Sequence, residues 1–224
     1  MKKLINLCFQ IELKTVRFNM NKILILDAAG NPQDLTKYPK IACDFRGDNS
    51  IVVIDNPKNI NGAQFNLVIG SGCEIRIGKN FQCYEHLQIY AIAQGSKFTI
   101  GDDCWVGGLN VSLRDEPNLE ISIGNDCLIG SNCAIRSSDG HTIFDINTRE
   151  VLNKPENIVI HDHVWFGRGV EVLKSTEIQS NTVVGMGSVV TKKFSEGNCV
   201  LAGRPAKVVK SGVNWSKLMT HKFK

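Results

Sequence analysis

A chain of 224 residues, 42% hydrophobic and 21% charged, is long enough to bury a sizeable core in one large domain or two small ones. Its net charge of +4 is too mild to argue for nucleic acid, and no zinc-finger, RRM or helix-turn-helix pattern occurs; an anionic small ligand is compatible with it. The aromatic share of 7% suits a narrow, regular core filled with aliphatic side chains.

The chain starts Met-Lys-Lys, but Gln10, Glu12 and Lys14 break the apolar run that follows Leu4, which makes a poor signal peptide. No later stretch approaches the length of a membrane span. Without an export signal, eight cysteines read as reduced thiols, and a cytoplasmic location is expected. Met20 stands just before a strand-like run, Lys22–Leu26, so the first nineteen residues are either a short extension or part of the fold. Ile51–Ile54 is a second short strand, with turn chemistry at Gly30-Asn31-Pro32 and Asn56-Pro57. Residues 1–66 are accordingly read as an N-terminal extension and cap with the first, irregular coils.

From residue 67 to 200 a period of six takes over. Ile160, Phe166, Val172, Ile178, Val184 and Val190 follow one another without a slip. Four residues after most of them comes a small or β-branched side chain: Val164, Val170, Thr176, Thr182, Ser188. The pattern also appears upstream at Ile123 and Ile129 with Cys127 and Cys133, at Ile100 and Val106 with Cys104, and at Ile69 with Cys73. Six matches neither a helix nor a plain strand. It fits a chain that turns a corner every six residues, so that three faces make one coil of 18 and each coil buries its apolar side only against its neighbours. Gly, Asn and Asp crowd the intervening positions, where tight corners need positive φ. The cysteines in the small slot are compact core residues, and no Cys-x-x-Cys pair suggests zinc.

Ile77, Ile100 and Ile123 lie 23 residues apart, one coil plus about five residues, which implies a bulge repeated at one corner. Between Ile123 and Ile160 the stretch 137–157 is polar and lacks the repeat, and it is read as an extruded loop. The remainder, 201–224, is a basic tail expected to be helical in part.

The extruded loop opens with Ser137-Ser138-Asp139-Gly140-His141. Imidazole is the side chain best matched to taking a proton at neutral pH, and a loop neck beside rigid coils suits a general base. A solvent-exposed histidine without a role is the alternative. His86 reads as a surface or packed residue; His161 and His163 flank Asp162 on the way into the next coil. A trimeric β-helix with a histidine-bound zinc, as in γ-class carbonic anhydrases, would need a His-x4-His pair that is absent, so no metal is expected. Trp165 is bulky for so slim a repeat: it either packs against the loop or another subunit, or borders a catalytic pocket as a wall or indole donor. Trp105 occupies the equivalent slot, so a repeated packing role stays open. Lys192, Lys193, Arg204, Lys207 and Lys210 form a basic cluster that could meet phosphates or simply be solvated. Nucleotide-binding glycine loops are missing.

Taken together, Ser138-Asp139-Gly140-His141, His163-Val164-Trp165-Phe166-Gly167, Val184-Gly185-Met186-Gly187-Ser188-Val189-Val190-Thr191-Lys192 and Ala202-Gly203-Arg204-Pro205-Ala206-Lys207 resemble the hexapeptide-repeat acyltransferases over roughly residues 69–210. The loop histidine and the tryptophan resemble the branch that O-acetylates bacterial surface polysaccharides, sialic-acid capsules among them. The resemblance implies an all-β, left-handed parallel β-helix, a homotrimer, and sites in the grooves between subunits. It implies acetyl-CoA as donor, its pantetheine arm near Gly167, Gly185 and Met186 and its phosphates near Thr191, Lys192, Lys207 and Lys210. It further implies that His141 deprotonates the acceptor hydroxyl of a carbohydrate while backbone amides or the Trp165 indole stabilise the oxyanion. Met186 is larger than the residue common there, Arg204 replaces the commoner Asn and Lys193 an acidic residue; Asp139, Asp145 or a backbone carbonyl could orient His141. Two other readings remain: an N-acyltransferase acting on an amino-sugar nucleotide, and a non-catalytic trimeric solenoid scaffold.

Overall fold

The computed structural model describes residues 20–223; the question of whether residues 1–19 are an extension or part of the fold lies outside them. The described chain winds as a three-faced parallel β-helix. One face is a seven-stranded sheet of β1 (Lys22–Leu26), β3 (Ile51–Asp55), β5 (Glu74–Ile77), β7 (Lys97–Ile100), β9 (Glu120–Ile123), β12 (Ile158–Ile160) and β15 (Glu177–Ile178), in that order. A second face carries β10 (Leu128–Ile129), β13 (Trp165–Phe166), β16 (Val183–Val184) and β18 (Cys199–Gly203). The third carries β2 (Ile41–Phe45), β4 (Gln64–Ile69), β11 (Cys133–Arg136), β14 (Glu171–Leu173) and β17 (Val189–Val190). Two long strands, β6 (Gln82–Ala91) and β8 (Trp105–Leu113), run round the corner between the second and third faces and join them into one sheet.

The six-residue rhythm is the register of this winding. On the first face Ile54, Ile77, Ile100, Ile123, Ile160 and Ile178 stand directly over one another. Cys83, Val106, Ile129, Phe166, Val184 and Leu201 form the second inward column. Leu67, Ile89, Val111, Ile135, Val172 and Val190 form the third. All are buried. Fully burying such a side chain stabilises by about 1.5–3 kcal/mol, so the columns are the main source of cohesion.

The corners between the first and second faces explain the Asn, Asp and Gly. Asn80, Asp103, Asp126, His163, Asn181 and Asn198 all sit there with φ between 51° and 62°, a region these residue types tolerate. Alongside runs a ladder in which the Asp102 carboxylate accepts from Lys79 N at 2.8 Å, the Asn125 carbonyl from Asp102 N at 2.9 Å and the Asp162 carboxylate from Asn125 N at 2.7 Å. A Cβ on Gly124 would lie 2.7 Å from Asp162 N, so coil stacking excludes a side chain. The small inward slots hold Cys104 and Cys127, whose sulfurs accept N–H of Cys127 at 3.4 Å and of Val164 at 3.5 Å. Burial pushes the Cys83 thiol up to about 12 and also raises Cys73 and Cys133, so these cysteines are packing residues and poor nucleophiles.

Parallel pairing begins at β1, within the N-terminal segment, where β2 and β4 alternate by two instead of following the six-residue rhythm. One expectation, the partly helical tail, needs correction. The tail is not helical beyond a 3-10 turn at Thr220–Lys222. Instead β19 (Ala206–Ser211) folds back antiparallel on β18, led by the Gly203-Arg204-Pro205 turn and suited to a strand by Val208 and Val209. Among the described residues no helix is long and apolar enough to cross a membrane.

After β4 the two large insertions leave at the corner between the third and first faces. Arg114–Leu119 turns there, and the loop 137–157 is extruded there without moving Ile160 from beneath Ile123. This register gives a test. Cys127→Lys puts an unpaired charge at a site with 0% exposure, at a cost of several kcal/mol. Soluble expression should be lost; a soluble variant with unchanged melting would contradict the packing described.

Candidate functional site

The neck of the extruded loop is tied down residue by residue. The Ser138 hydroxyl donates to the Asp115 carboxylate and accepts from Gly140 N at 2.9 Å. Lys174, just past β14, donates to the Asp139 carboxylate and to Asn153 O at 3.2 Å. His141 emerges from this neck with an exposed imidazole that has no hydrogen-bond partner among the described residues. It lines a cleft of about 810 Å³ with Arg114, Asp115, Ser138, Asp139 and Lys154. The loop beyond is a short hairpin, bridged at Phe144 and Val151.

Neither aspartate candidate meets the imidazole. Hydrogen bonds from Lys174 and then Asn153 hold the Asp139 carboxyl below the usual carboxylate range. Asp145 instead accepts from Asn147 N and Thr148 N, each at 2.8 Å, and so forms the hairpin turn.

Trp165 is on the second face, 39% exposed, with Leu128 on one side of it and Val183 on the other. Trp105 lies in the same row, one coil beyond Leu128, as the repeat required. A single chain therefore keeps His141 and Trp165 apart, one at a corner and the other on a face that does not adjoin it.

The candidate donor residues divide in the same way. Gly167, Gly185 and Ala202 succeed one another at the corner between the second and third faces, and β19 places Lys207 opposite Ala202 and Lys210 opposite Val200. Met186 projects from this corner, 76% exposed. A Cβ on Gly167 would come within 2.7 Å of Met186 N, so that glycine is demanded by stacking whatever else it does. Thr191 and Lys192 are exposed at the opposite corner, the one that extrudes the loop of His141. The outer surface thus bears two strips: Trp165, Gly167, Gly185, Met186, Lys207 and Lys210 on one, His141, Thr191 and Lys192 on the other.

His161, His86 and His163 are engaged elsewhere. His161 Nε2 is 3.1 Å from Glu177 Oε1, and His86 packs beside Gly108. His163 Nδ1 is 2.6 Å from Asp126 Oδ2, while its ring stacks on Trp215 at 4.2 Å. The Trp215 indole donates to His163 O at 2.8 Å and tilts against Trp165 at 5.9 Å. Lys217 completes the clamp, donating to Asp103 O at 2.8 Å and Asp126 Oδ1 at 2.5 Å over the ring of Trp105. Sequence reasoning missed Trp215 and Lys217; an indole in an otherwise basic tail was the available signal. It also missed Arg114, Asp115, Asn153, Lys154 and Lys174, which carry no periodic signature.

No protein-family profile matches the chain. It is 33% identical over 195 residues to a polysialic acid O-acetyltransferase of Neisseria meningitidis, covering 79% of this chain and 90% of that protein. A polysialic acid O-acetyltransferase of Escherichia coli O1:K1 / APEC is 32% identical over 143 residues, 64% of this chain; the match spans only 45% of that longer relative. The crystal structure of the polySia-specific acetyltransferase NeuO superposes with a TM-score of 0.73 at 27% identity, over 91% of this chain and 81% of that one.

The clamp yields a pH prediction. Burial pushes the Asp126 carboxyl up, but Lys217 and His163 outweigh it and hold it below its ordinary value. A depressed carboxylate contributes stability that is present above its unfolded pKa and lost as pH falls through the folded one. The tail should stay docked at neutral pH and detach in acid below the ordinary carboxylate range. Tryptophan emission that is assigned by Trp215→Phe should shift to the red there, and Asp126→Asn should weaken docking already at neutral pH. Emission insensitive to both would contradict the clamp.

Proposed function

The chain belongs to the hexapeptide-repeat acetyltransferase family, and on that premise we propose that it transfers an acetyl group from acetyl-CoA to a hydroxyl of a bacterial surface polysaccharide. The observation that carries the reading is the division of the chemistry between two strips. His141 and Trp165 lie on different parts of the prism, so they can flank one substrate only if neighbouring copies are set side by side. A homotrimer with three grooves, each lined by the His141 strip of one copy and the Trp165 strip of the next, meets that need.

In such a groove the His141 imidazole takes the acceptor's hydroxyl proton. The oxygen attacks the thioester carbonyl, forming the new C–O bond and a tetrahedral oxyanion that the Trp165 indole or backbone amides stabilise. Collapse breaks the C–S bond; the imidazolium returns the proton to the sulfur, leaving an ester and CoA. Orientation of the two substrates supplies much of the rate and a positioned base roughly 10²–10⁴. No enzyme nucleophile is needed, in keeping with thiols buried in the core. Free cysteines throughout the described chain also suit work in the reducing cytoplasm. The basic side chains Lys207 and Lys210 on one strip and Lys192 on the other suit the phosphates of the donor.

The cleft around His141 bears on the acceptor. Asp139 is ion-paired with Lys174, Asp115 accepts from the neutral Ser138 hydroxyl and keeps its charge, and Arg114 and Lys154 have no ion pair among the described residues. Asp115 and Glu116 balance the two cations, so net charge does not choose the acceptor. An acidic sugar is favoured because the two relatives matched above are polysialic acid O-acetyltransferases and Arg114 and Lys154 are cleft cations free to meet it.

His141→Ala should remain folded and bind acetyl-CoA, while turnover falls roughly 10² or more and the ascending limb of the pH profile disappears. Near-native turnover would dismiss His141 as the base. Arg114→Gln should raise the KM for an acidic polysaccharide several-fold and flatten its salt dependence with the KM for acetyl-CoA unchanged. An equal change for a neutral acceptor would contradict a charge contact from Arg114.

A further inference from the structure

The imidazole of His141 has no side-chain partner among the described residues, so its position is set by its backbone, and the backbone is held by one residue of the returning stem. The Asn153 amide nitrogen donates to Asp139 Oδ2 at 2.9 Å and to His141 O at 2.8 Å, and its oxygen accepts from Ile143 N at 2.7 Å. One side chain thus grips residues 139, 141 and 143, every second residue of the outgoing stem, with His141 at the centre. Leu152 N bonds to Ile143 O at 2.8 Å alongside it. Lys174 then fastens both stems to the prism, donating to the Asp139 carboxylate and to Asn153 O, with its side chain only 19% exposed.

We propose that Asn153 and Lys174 are positioning residues for the acyl transfer, fixing the His141 imidazole over the acceptor cleft by linking the loop to the rigid coil at β14. This rests on the reading of His141 as the base. The chemistry of the link is specific. Asn153 needs two donor hydrogens and a carbonyl on one planar group, which leucine lacks and aspartate would replace with a charge facing Asp139. Lys174 needs a cation that reaches a carboxylate and a carbonyl together, which arginine can do and methionine cannot. The contacts lie outside the three aliphatic columns, so losing them leaves the prism intact. A misplacement of about 1 Å at a reacting group can cost on the order of 10² in rate.

The test is a set of variants of the full chain assayed with acetyl-CoA and a polysialic acid acceptor. Asn153→Ala and Lys174→Met should each lower kcat by roughly ten- to a hundredfold, with the KM for acetyl-CoA and the melting temperature close to native. Lys174→Arg should restore most of the activity. In a double-mutant cycle, Asn153→Ala added to His141→Ala should cost little more than His141→Ala alone, because the first residue acts through the second. Native kcat in Asn153→Ala or Lys174→Met, or full additivity with His141→Ala, would overturn the proposal while leaving His141 as the base. If His141→Ala were itself near native, the base assignment would fail first, which is a distinguishable result.

Discussion

The constraint on which the rest of this structure depends is coil-to-coil registry. Each coil must set its three large inward side chains directly over those of the coil before, as the unbroken isoleucine column from Ile54 to Ile178 does. At the tight corners the chains approach so closely that a Cβ at Gly124 or Gly167 would collide with the backbone of the next coil. Backbone groups at the Gly124 corner are satisfied by the Asp102, Asn125 and Asp162 ladder. The large insertions after β4 are confined to one corner. The corner between the third and first faces absorbs the turn at 114–119 and the whole 137–157 loop, and the acceptor cleft lies between those two insertions. Where the chemistry sits follows from where the winding permits added residues.

Rigidity and reach are divided accordingly. The prism supplies fixed rows of outward positions, so Trp165, Val183, Val200 and Lys210 form a line without any contact designed to align them. The loop supplies reach, and Lys174 and Asn153 couple it to the prism. On the opposite side the tail makes a second attachment, where His163 takes a left-handed corner otherwise given to Asn or Asp and uses its ring to hold Trp215. His163 sits one residue from Val164 in the repeat and two from Trp165, yet its partners are Asp126 and the tail, which marks it as a structural neighbour of the site.

Legibility in the sequence followed the same physics. Residues that obey the repeat were readable: Phe166, Cys127 and Thr182 fall in the inward positions their spacing implies, because one steric rule acts on every coil. The six-residue rhythm fades before residue 67 because Phe65, Leu67 and Ile69 alternate on a single long strand. The hairpin of β18 and β19 was misread since charge dominates the tail and its valines are few. His141 could be picked out by its type and its place at a loop neck, but Asn153 could not, since its role arises from a bond across the loop that no local pattern encodes. The Trp215–His163 contact spans 52 residues and depends on surfaces that exist only after the coils have stacked.

The most exposed element of the account is the claim that His141 and Trp165 serve one substrate from two copies of the chain. Co-expressing differently tagged His141→Ala and Trp165→Ala chains, and isolating assemblies that carry both tags, tests it directly. If the grooves are shared, some in each mixed assembly receive an intact histidine from one copy and an intact tryptophan from the next, and acetyl transfer lost in both parents should return. Mixed assemblies as inactive as their parents would mean that each copy builds its site alone, which the separation of the two strips forbids.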